Sequence, residues 1–188
     1  MTMKLIFYII SVFVLFLFSC GDKKMNEEQI LVRATNNIAK FYAEKDTTNL
    51  YRAMLGLDSI SDNYLQKKSV QHRIQVYHLL GEYSKVLTYI GTLEESKFNR
   101  KYQKQMYLLY YSFLQEEQIN DTILYNQCIN QIQNEITQTS DIEVYSDYII
   151  LANLLVPENR LVSKIDEWEF SDKISKEESF YLKQLITR

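Results

Sequence analysis

The 188-residue chain carries 21 Lys and Arg side chains against 24 Asp and Glu side chains, which gives a formal net charge of −3. This mildly acidic balance excludes a nucleic-acid-binding protein, because replacing the counterions of a phosphate backbone needs clustered basic side chains. The chain contains one Pro and four Gly, too few for the many turns of a sheet protein, so the composition favours helices.

The first 20 residues are typical of an exported protein. An apolar run over 5–18 lies between Lys4 and the pair Ser19-Cys20. A membrane-spanning helix needs roughly 20 apolar residues, and this run is shorter. A single charge, an apolar stretch and a small residue in that order predict a signal peptide over residues 1–19. The alternative is an uncleaved N-terminal anchor in which Cys20 keeps a plain thiol.

The residues around the predicted cleavage site carry a second signal. Leu17-Phe18-Ser19-Cys20 resembles the lipobox of bacterial lipoproteins, although Phe18 is bulkier than the residue usual at that position, and the following Gly-Asp-Lys-Lys is similar to lipoproteins of the Bacteroidetes. The resemblance implies a diacylglyceryl group on the Cys20 sulfur, cleavage before Cys20 and acylation of the new amine by a fatty acid such as palmitate. These acyl chains, at roughly 0.8 kcal/mol for each buried methylene, would hold the protein at the inner or outer membrane of the cell envelope.

The rest of the chain divides into a short tether and one domain. Residues 20–27 are charged and lack periodicity, which predicts a tether between the lipid and the domain. In the domain, residues 28–188, apolar residues recur at intervals of three and four, so we expect eight or nine helices of roughly ten to twenty residues. Capping boxes at 140–143 and 175–178 and the single proline, Pro157, mark helix starts.

Breaks between the predicted helices recur at a regular interval. They fall at Lys45, Gly81 and Glu117, each 36 residues after the last, and a weaker break follows at Val156-Pro157. A period of about 34 to 40 residues with two helices in each unit is typical of a helical solenoid. The alternative is an irregular helical bundle whose spacing matches by accident.

The unit around the second break carries a family resemblance. Tyr77, Gly81 and Tyr83 match the positions at which a tetratricopeptide repeat ends its first helix, turns and begins its second, although Val86 stands where the family prefers Ala. The resemblance covers residues 28–168. It implies an all-α fold in which antiparallel helix pairs stack as a short tetratricopeptide-like solenoid.

In the tetratricopeptide family the first helix of each pair lines a concave binding face. Carried over by position, that face consists of Tyr42 in the first unit, Gln71, Gln75 and His78 in the second, and Lys104, Tyr107, Tyr111 and Gln115 in the third. Aromatic and amide side chains suit an extended peptide or a glycan. We therefore expect Tyr107 and Tyr111 to be exposed side by side in a groove. The alternative is that these tyrosines are core or neutral surface residues in a chain whose composition reflects AT-rich coding.

Residues that could carry out chemistry are sparse. His72 and His78 are six residues apart, so on a helix they point about 240 degrees apart and cannot share a metal ion. The sequence has no phosphate-binding loop, no nucleophile elbow and no zinc-protease motif. It therefore predicts no catalytic residue, no metal site and no cofactor.

Two single residues and the C-terminal segment are predicted to be structural. Cys128 lies on an apolar helix face with Leu124 and Ile132, which predicts a buried and inert thiol. Trp168 continues an apolar stripe at intervals of three and four, which predicts a core anchor rather than a binding residue. The amphipathic residues 173–186 are expected to cap the end of the solenoid.

These observations predict a non-enzymatic, lipid-anchored helical-repeat protein of the cell envelope that acts as an adaptor or scaffold. Its predicted partners are the membrane, through the N-terminal lipid, and a protein or peptide bound on the concave face. One alternative is a surface lipoprotein that captures a glycan or peptide ligand. A more remote alternative is an enzyme whose catalytic residues are scattered without a recognisable motif.

Overall fold

A computed structural model describes residues 26–61, 63–116 and 118–186, and within these ranges the regular structure is helical throughout. The nine α-helices of the described residues are α1 (Glu27–Glu44), α2 (Thr48–Leu57), α3 (Asn63–Leu79), α4 (Tyr83–Thr92), α5 (Gln103–Glu116), α6 (Thr122–Ile136), α7 (Ile142–Ala152), α8 (Glu158–Phe170) and α9 (Lys176–Ile186). The prediction of an all-α protein is confirmed for this part of the chain. The predicted signal peptide, Cys20 and the start of the tether lie outside the described residues. None of the described helices is long and apolar enough to cross a membrane.

Two turns between paired helices fall at predicted breaks and use the left-handed backbone conformation. Lys45 directly follows α1 and has a φ of 57°. Gly81 lies two residues after the end of α3 and has a φ of 70°. The backbone N–H of Glu82 donates to the Tyr77 carbonyl at 2.9 Å, and that of Gly81 donates to the His78 carbonyl at 2.9 Å. These two bonds close α3 in a Schellman motif. Glycine adopts this conformation without strain because it has no Cβ.

The two predicted capping boxes near the C-terminal half differ in outcome. The backbone N–H of Glu178 donates to Ser175 Oγ at 3.2 Å, and the N–H of Ser175 donates to Glu178 Oε2 at 2.7 Å, so the second box is confirmed. The prediction that Ser140 caps α7 is wrong by one residue. The Asp141 carboxylate accepts the Glu143 N–H at 3.0 Å instead, because a carboxylate one residue later fills the same role.

Helix starts elsewhere also lie close to the predicted ones. α1 begins inside the predicted tether 20–27, because Asn26 and Gln29 form a capping box that the sequence analysis did not find. α8 begins directly after Pro157, whose carbonyl accepts the Leu161 N–H at 3.3 Å. Proline at a helix start removes no intrahelical hydrogen bond, so it does not weaken the helix.

The core consists of three clusters that follow one another along the chain. The N-terminal cluster packs α1 against α2, the middle cluster lies between α3, α4 and α5, and the C-terminal cluster joins α5 to α9. Trp168 is buried in the C-terminal cluster, where its ring meets the Tyr145 ring edge-on at a centroid distance of 4.9 Å. Cys128 is buried in the same cluster. Both residues therefore have the structural role that the sequence predicts.

Each helix packs mainly against helices one or two places along the chain. α1 contacts α2 and α3, α4 contacts α5, α5 contacts α6 and α7, and α9 contacts α7 and α8. α3 and α5 also meet in the middle cluster. α3, α5 and α7 therefore lie next to one another, and the candidate site lies between them.

Candidate functional site

A pocket of about 300 Å³ lies between α3, α5 and α7. It is lined by Gln71, Ile74, Gln75 and His78 from α3, by Met106, Tyr107, Tyr110 and Tyr111 from α5, and by Asp147 and Ile150 from α7. Five of the eight residues predicted for a concave face are among them, namely Gln71, Gln75, His78, Tyr107 and Tyr111. Side chains from the second and third predicted units therefore meet at one place, and the fourth unit contributes Asp147.

Aromatic rings pack against one another around the pocket. The His78 ring lies 5.9 Å from the Tyr111 ring and 6.5 Å from the Tyr110 ring, and the Tyr107 and Tyr111 centroids are 6.5 Å apart. Tyr110 and Tyr111 meet edge-on at 5.2 Å. The tyrosine pair is therefore side by side, as predicted. These mutual contacts hold each ring in place, so the pocket wall is formed before any ligand binds.

The prediction that Tyr107 and Tyr111 are both exposed is wrong. Tyr111 is only 4% exposed, since it belongs to the middle cluster with Val86 and Ile90. Tyr107 is half-buried and packs against Phe98 at a centroid distance of 6.1 Å. Burial raises the pKa of both tyrosines, so their hydroxyls stay protonated at physiological pH. The pair forms the wall of a pocket rather than an open surface for stacking.

Asp147 is the only Asp, Glu, Lys or Arg among the residues that line the pocket. It is 8% exposed, and its Oδ2 accepts the Tyr102 hydroxyl at 2.9 Å and the Gln103 side-chain N–H at 3.3 Å. Burial raises the pKa of Asp147 to about 6, while the two hydrogen bonds and the positive charge of Arg100 act in the opposite direction. Asp147 is thus a buried acid that titrates close to neutral pH.

His78 brings a second polar group to the pocket. Its Nδ1 is buried and has no hydrogen-bond partner among the described residues. Burial lowers the pKa of His78 from its ordinary value of 6.5, so the ring is neutral at pH 7. An unpartnered buried ring nitrogen of this kind costs free energy in the folded protein.

Three predicted residues do not line the pocket. Tyr42 is half-exposed near the end of α1, where its hydroxyl accepts from Gln75 Nε2 at 3.5 Å. Lys104 donates to the Leu93 carbonyl, which draws its ammonium towards the segment after α4. Gln115 is exposed near the end of α5. None of the three lines the pocket, although Tyr42 contacts Gln75, which does.

Sequence reasoning missed Asp147, although the repeat spacing could have found it. Gln71, Tyr107 and Asp147 follow one another at intervals of 36 and 40 residues and line the same pocket. The fourth unit lacks the aromatic and glycine signals of the second, so its positions were not carried over. A second signal is that Asp147 is the only acid of α7 beyond its first turn, in a helix in which seven of eleven residues are buried.

The remaining reactive side chains of the described residues lie apart from the pocket. His72 Nε2 is 3.1 Å from Thr35 Oγ1, on the side of α3 that meets α1. Burial raises the pKa of the Cys128 thiol to about 12. No group of three His, Cys, Asp or Glu side chains within the described residues is placed to hold a metal ion.

Comparisons with known proteins add no family to these observations. No protein-family model matches the sequence. No curated protein and no solved structure is similar enough to count as a match.

Proposed function

We propose that this protein is a lipid-anchored helical-repeat adaptor of the bacterial cell envelope, which binds a partner protein or peptide in the pocket between α3, α5 and α7. The observation that carries the proposal is the convergence of Gln71, Gln75, His78, Tyr107 and Tyr111 on one pocket. These are positions that the tetratricopeptide resemblance assigns to the concave face. Their meeting at one cavity is what a binding face built from successive first helices would produce.

The packing of the helices supports the repeat part of the proposal. In a stacked array each unit touches only its neighbours, and the main contacts here join helices one or two places apart. The turns at Lys45 and Gly81 are 36 residues apart and both take a left-handed conformation. Two helix pairs therefore each turn at a residue of positive φ, at the interval expected for a tetratricopeptide-like solenoid.

The N-terminal sequence supports the location. The apolar run 5–18 and the lipobox-like Leu17-Phe18-Ser19-Cys20 favour export and lipidation at Cys20. Asn26 caps α1 only six residues later, which leaves a short tether. An adaptor anchored in this way would hold its partner close to the membrane surface.

A second candidate function is the capture of a small glycan or peptide ligand, without a protein partner. The pocket of about 300 Å³ is at the lower end of the size range of small-molecule sites, and three tyrosines line it. The observation that weighs against a glycan is the packing of the rings, since Tyr111 is buried and offers little free face for a sugar. The adaptor function is therefore placed first.

Site-specific photo-crosslinking in living cells tests the proposal. A photoreactive phenylalanine analogue would replace Gln71 in the full-length lipoprotein, and a matched chain would carry it at Phe180, an exposed residue of α9. We expect one defined envelope protein to be crosslinked from position 71 and not from position 180. Cys20→Ala, which removes the lipid attachment site, should abolish the adduct by releasing the protein from the membrane.

Other crosslinking results would contradict the adaptor. Equal adducts from positions 71 and 180 would indicate non-specific contact, and no protein adduct from position 71 would reject a protein partner at the pocket. In the second case glycan and peptide arrays would test the capture function. Binding of an array ligand that is lost in Tyr107→Ala would then support capture.

A further inference from the structure

The charges around the pocket are unbalanced. Arg100 is the cation that acts on Asp147, but its guanidinium donates to the carboxylates of Glu135 and Asp141. One positive side chain thus faces three carboxylates, and Glu143 on α7 adds a further negative charge nearby. No Lys or Arg lines the pocket. The site therefore attracts a cation and repels a carboxylate or a phosphate.

One acceptor in the pocket is not used by the protein. Both hydrogen bonds to Asp147 end on Oδ2, and Oδ1 accepts none from the described residues. An ammonium carries three N–H donors and a guanidinium carries five, so either group could donate to Asp147 Oδ1 while it neutralises the carboxylate.

The pocket wall adds a third attraction for a cation. The half-buried rings of Tyr107 and Tyr110 line the cavity together with His78. Tyrosine rings attract a positive group placed over their faces, and the attraction is stronger where water is excluded. Ile74, Met106 and Ile150 supply apolar surface for the alkyl part of a long side chain.

We propose that this pocket binds one cationic group, an alkylammonium or a guanidinium, presented as a Lys or Arg side chain by the partner peptide. The inference rests on the proposed adaptor function and specifies the chemistry of its ligand. Asp147 is the counter-ion, and the half-buried rings of Tyr107 and Tyr110 line the pocket beside the charge. Gln71 and Gln75 on α3 are placed to bond the backbone of the peptide that carries the side chain.

Titration with small probes tests the cation preference. Nα-acetyl-lysinamide and Nα-acetyl-argininamide would be added to the full-length protein in detergent, with Nα-acetyl-norleucinamide as the neutral probe of similar shape. Binding would be followed by NMR of labelled tyrosine rings. We expect saturable shifts at Tyr107 and Tyr110 with the cationic probes and none with the neutral probe. Equal binding of the neutral probe would overturn the inference.

Two variants that each remove one negative charge test whether Asp147 binds the cation directly or only adds to the overall negative potential of the site. Asp147→Asn keeps one amide oxygen that can accept from both Tyr102 and Gln103 in place of Oδ2, so the fold is retained while the charge is lost. Glu143→Gln removes a charge from an exposed side chain on the same helix. We expect Asp147→Asn to weaken binding of the cationic probes by at least about ten-fold and Glu143→Gln to change it less than about three-fold. Equal effects would overturn the role of Asp147.

The same probes distinguish this inference from the adaptor function. In membranes from the crosslinking cells, excess Nα-acetyl-lysinamide and Asp147→Asn should each suppress the adduct formed from position 71. An adduct that neither change affects would overturn the cationic ligand and leave the adaptor function standing. Saturable probe binding without any protein adduct would overturn the adaptor function. It would also overturn the inference that a partner peptide presents the cationic group.

Discussion

At the scale of single residues, the Asp147 carboxyl links the site to the stability of the fold. Burial raises its pKa from the ordinary 3.8 to about 6, so the folded protein holds this proton more tightly than the unfolded chain does. Stability from this group is fully present below pH 3.8 and is lost as pH rises through about 6. A pKa difference of this size corresponds to about 3 kcal/mol.

Asp147→Asn should remove this dependence, because an amide does not titrate in this range. We expect the variant to exceed the wild type in free energy of unfolding by about 2–3 kcal/mol at pH 7.5, and the difference to shrink towards zero at pH 3.5. Chemical denaturation at a series of pH values measures both chains. A difference that stays constant from pH 3.5 to 7.5 would show that the folded-state pKa of Asp147 is not raised.

Cys128 makes a second prediction at the residue scale. Its thiol is fully buried, and burial raises its pKa to about 12, so almost no thiolate forms near neutral pH. Iodoacetamide at pH 8 should modify Cys128 at least about 100-fold more slowly in the native protein than in guanidinium chloride. Mass spectrometry of the peptide that contains Cys128 follows the reaction. Similar rates in both conditions would place the thiol in contact with solvent.

The candidate site could be predicted in part, because a repeat spacing fixes which face of a helix a residue occupies. It placed Gln71, Gln75 and Tyr107 correctly at one pocket. The spacing does not determine how deeply a side chain is buried, because burial depends on helices that are distant in sequence. For this reason the sequence did not predict the burial of Tyr111. It also does not fix where a long side chain ends, as Lys104 shows by bonding the carbonyl of Leu93.

At the scale of helices and turns, most of the fold could be predicted because its signals are local. Apolar spacing predicts the helices, and the sequence around Gly81 predicts the turn between α3 and α4. The helix starts were less certain, since Ser140 and Asp141 are adjacent and both can cap. Only the hydrogen bond from the Glu143 N–H shows that Asp141 caps α7. How the helix pairs pack depends on contacts across the chain, which no local signal contains.

Two glycine substitutions test the turn. Gly81 has a φ of +70° and no atom within 4 Å of an added Cβ, so Gly81→Ala strains only the backbone. Gly91 lies inside α4 and is equally free of neighbours. We expect Gly81→Ala to lower the free energy of unfolding by about 1–2 kcal/mol and Gly91→Ala to raise it by about 0.5–1 kcal/mol. Denaturant titration measures both, and effects of the same sign would contradict the left-handed turn.

At the scale of the whole molecule, the order of the helices decides how local damage spreads. The three core clusters follow the chain, and the main contacts join neighbouring helices. In a stacked array stability is approximately the sum of terms within units and between neighbours. A destabilising substitution at one end should therefore lower local stability mainly at that end. In a closed bundle with one core, the same substitution would lower stability throughout the protein.

Leu182 in α9 and Leu50 in α2 are both fully buried, in the C-terminal and the N-terminal cluster. Replacing either by Ala leaves a cavity and should lower stability by about 2–5 kcal/mol. We expect Leu182→Ala to reduce amide hydrogen-exchange protection mainly in α7 to α9, and Leu50→Ala to reduce it mainly in α1 to α3. Hydrogen exchange read by mass spectrometry resolves these segments. If both variants lost protection equally along the whole chain, the helices would form one closed core, and the repeat basis of the proposed binding face would be rejected.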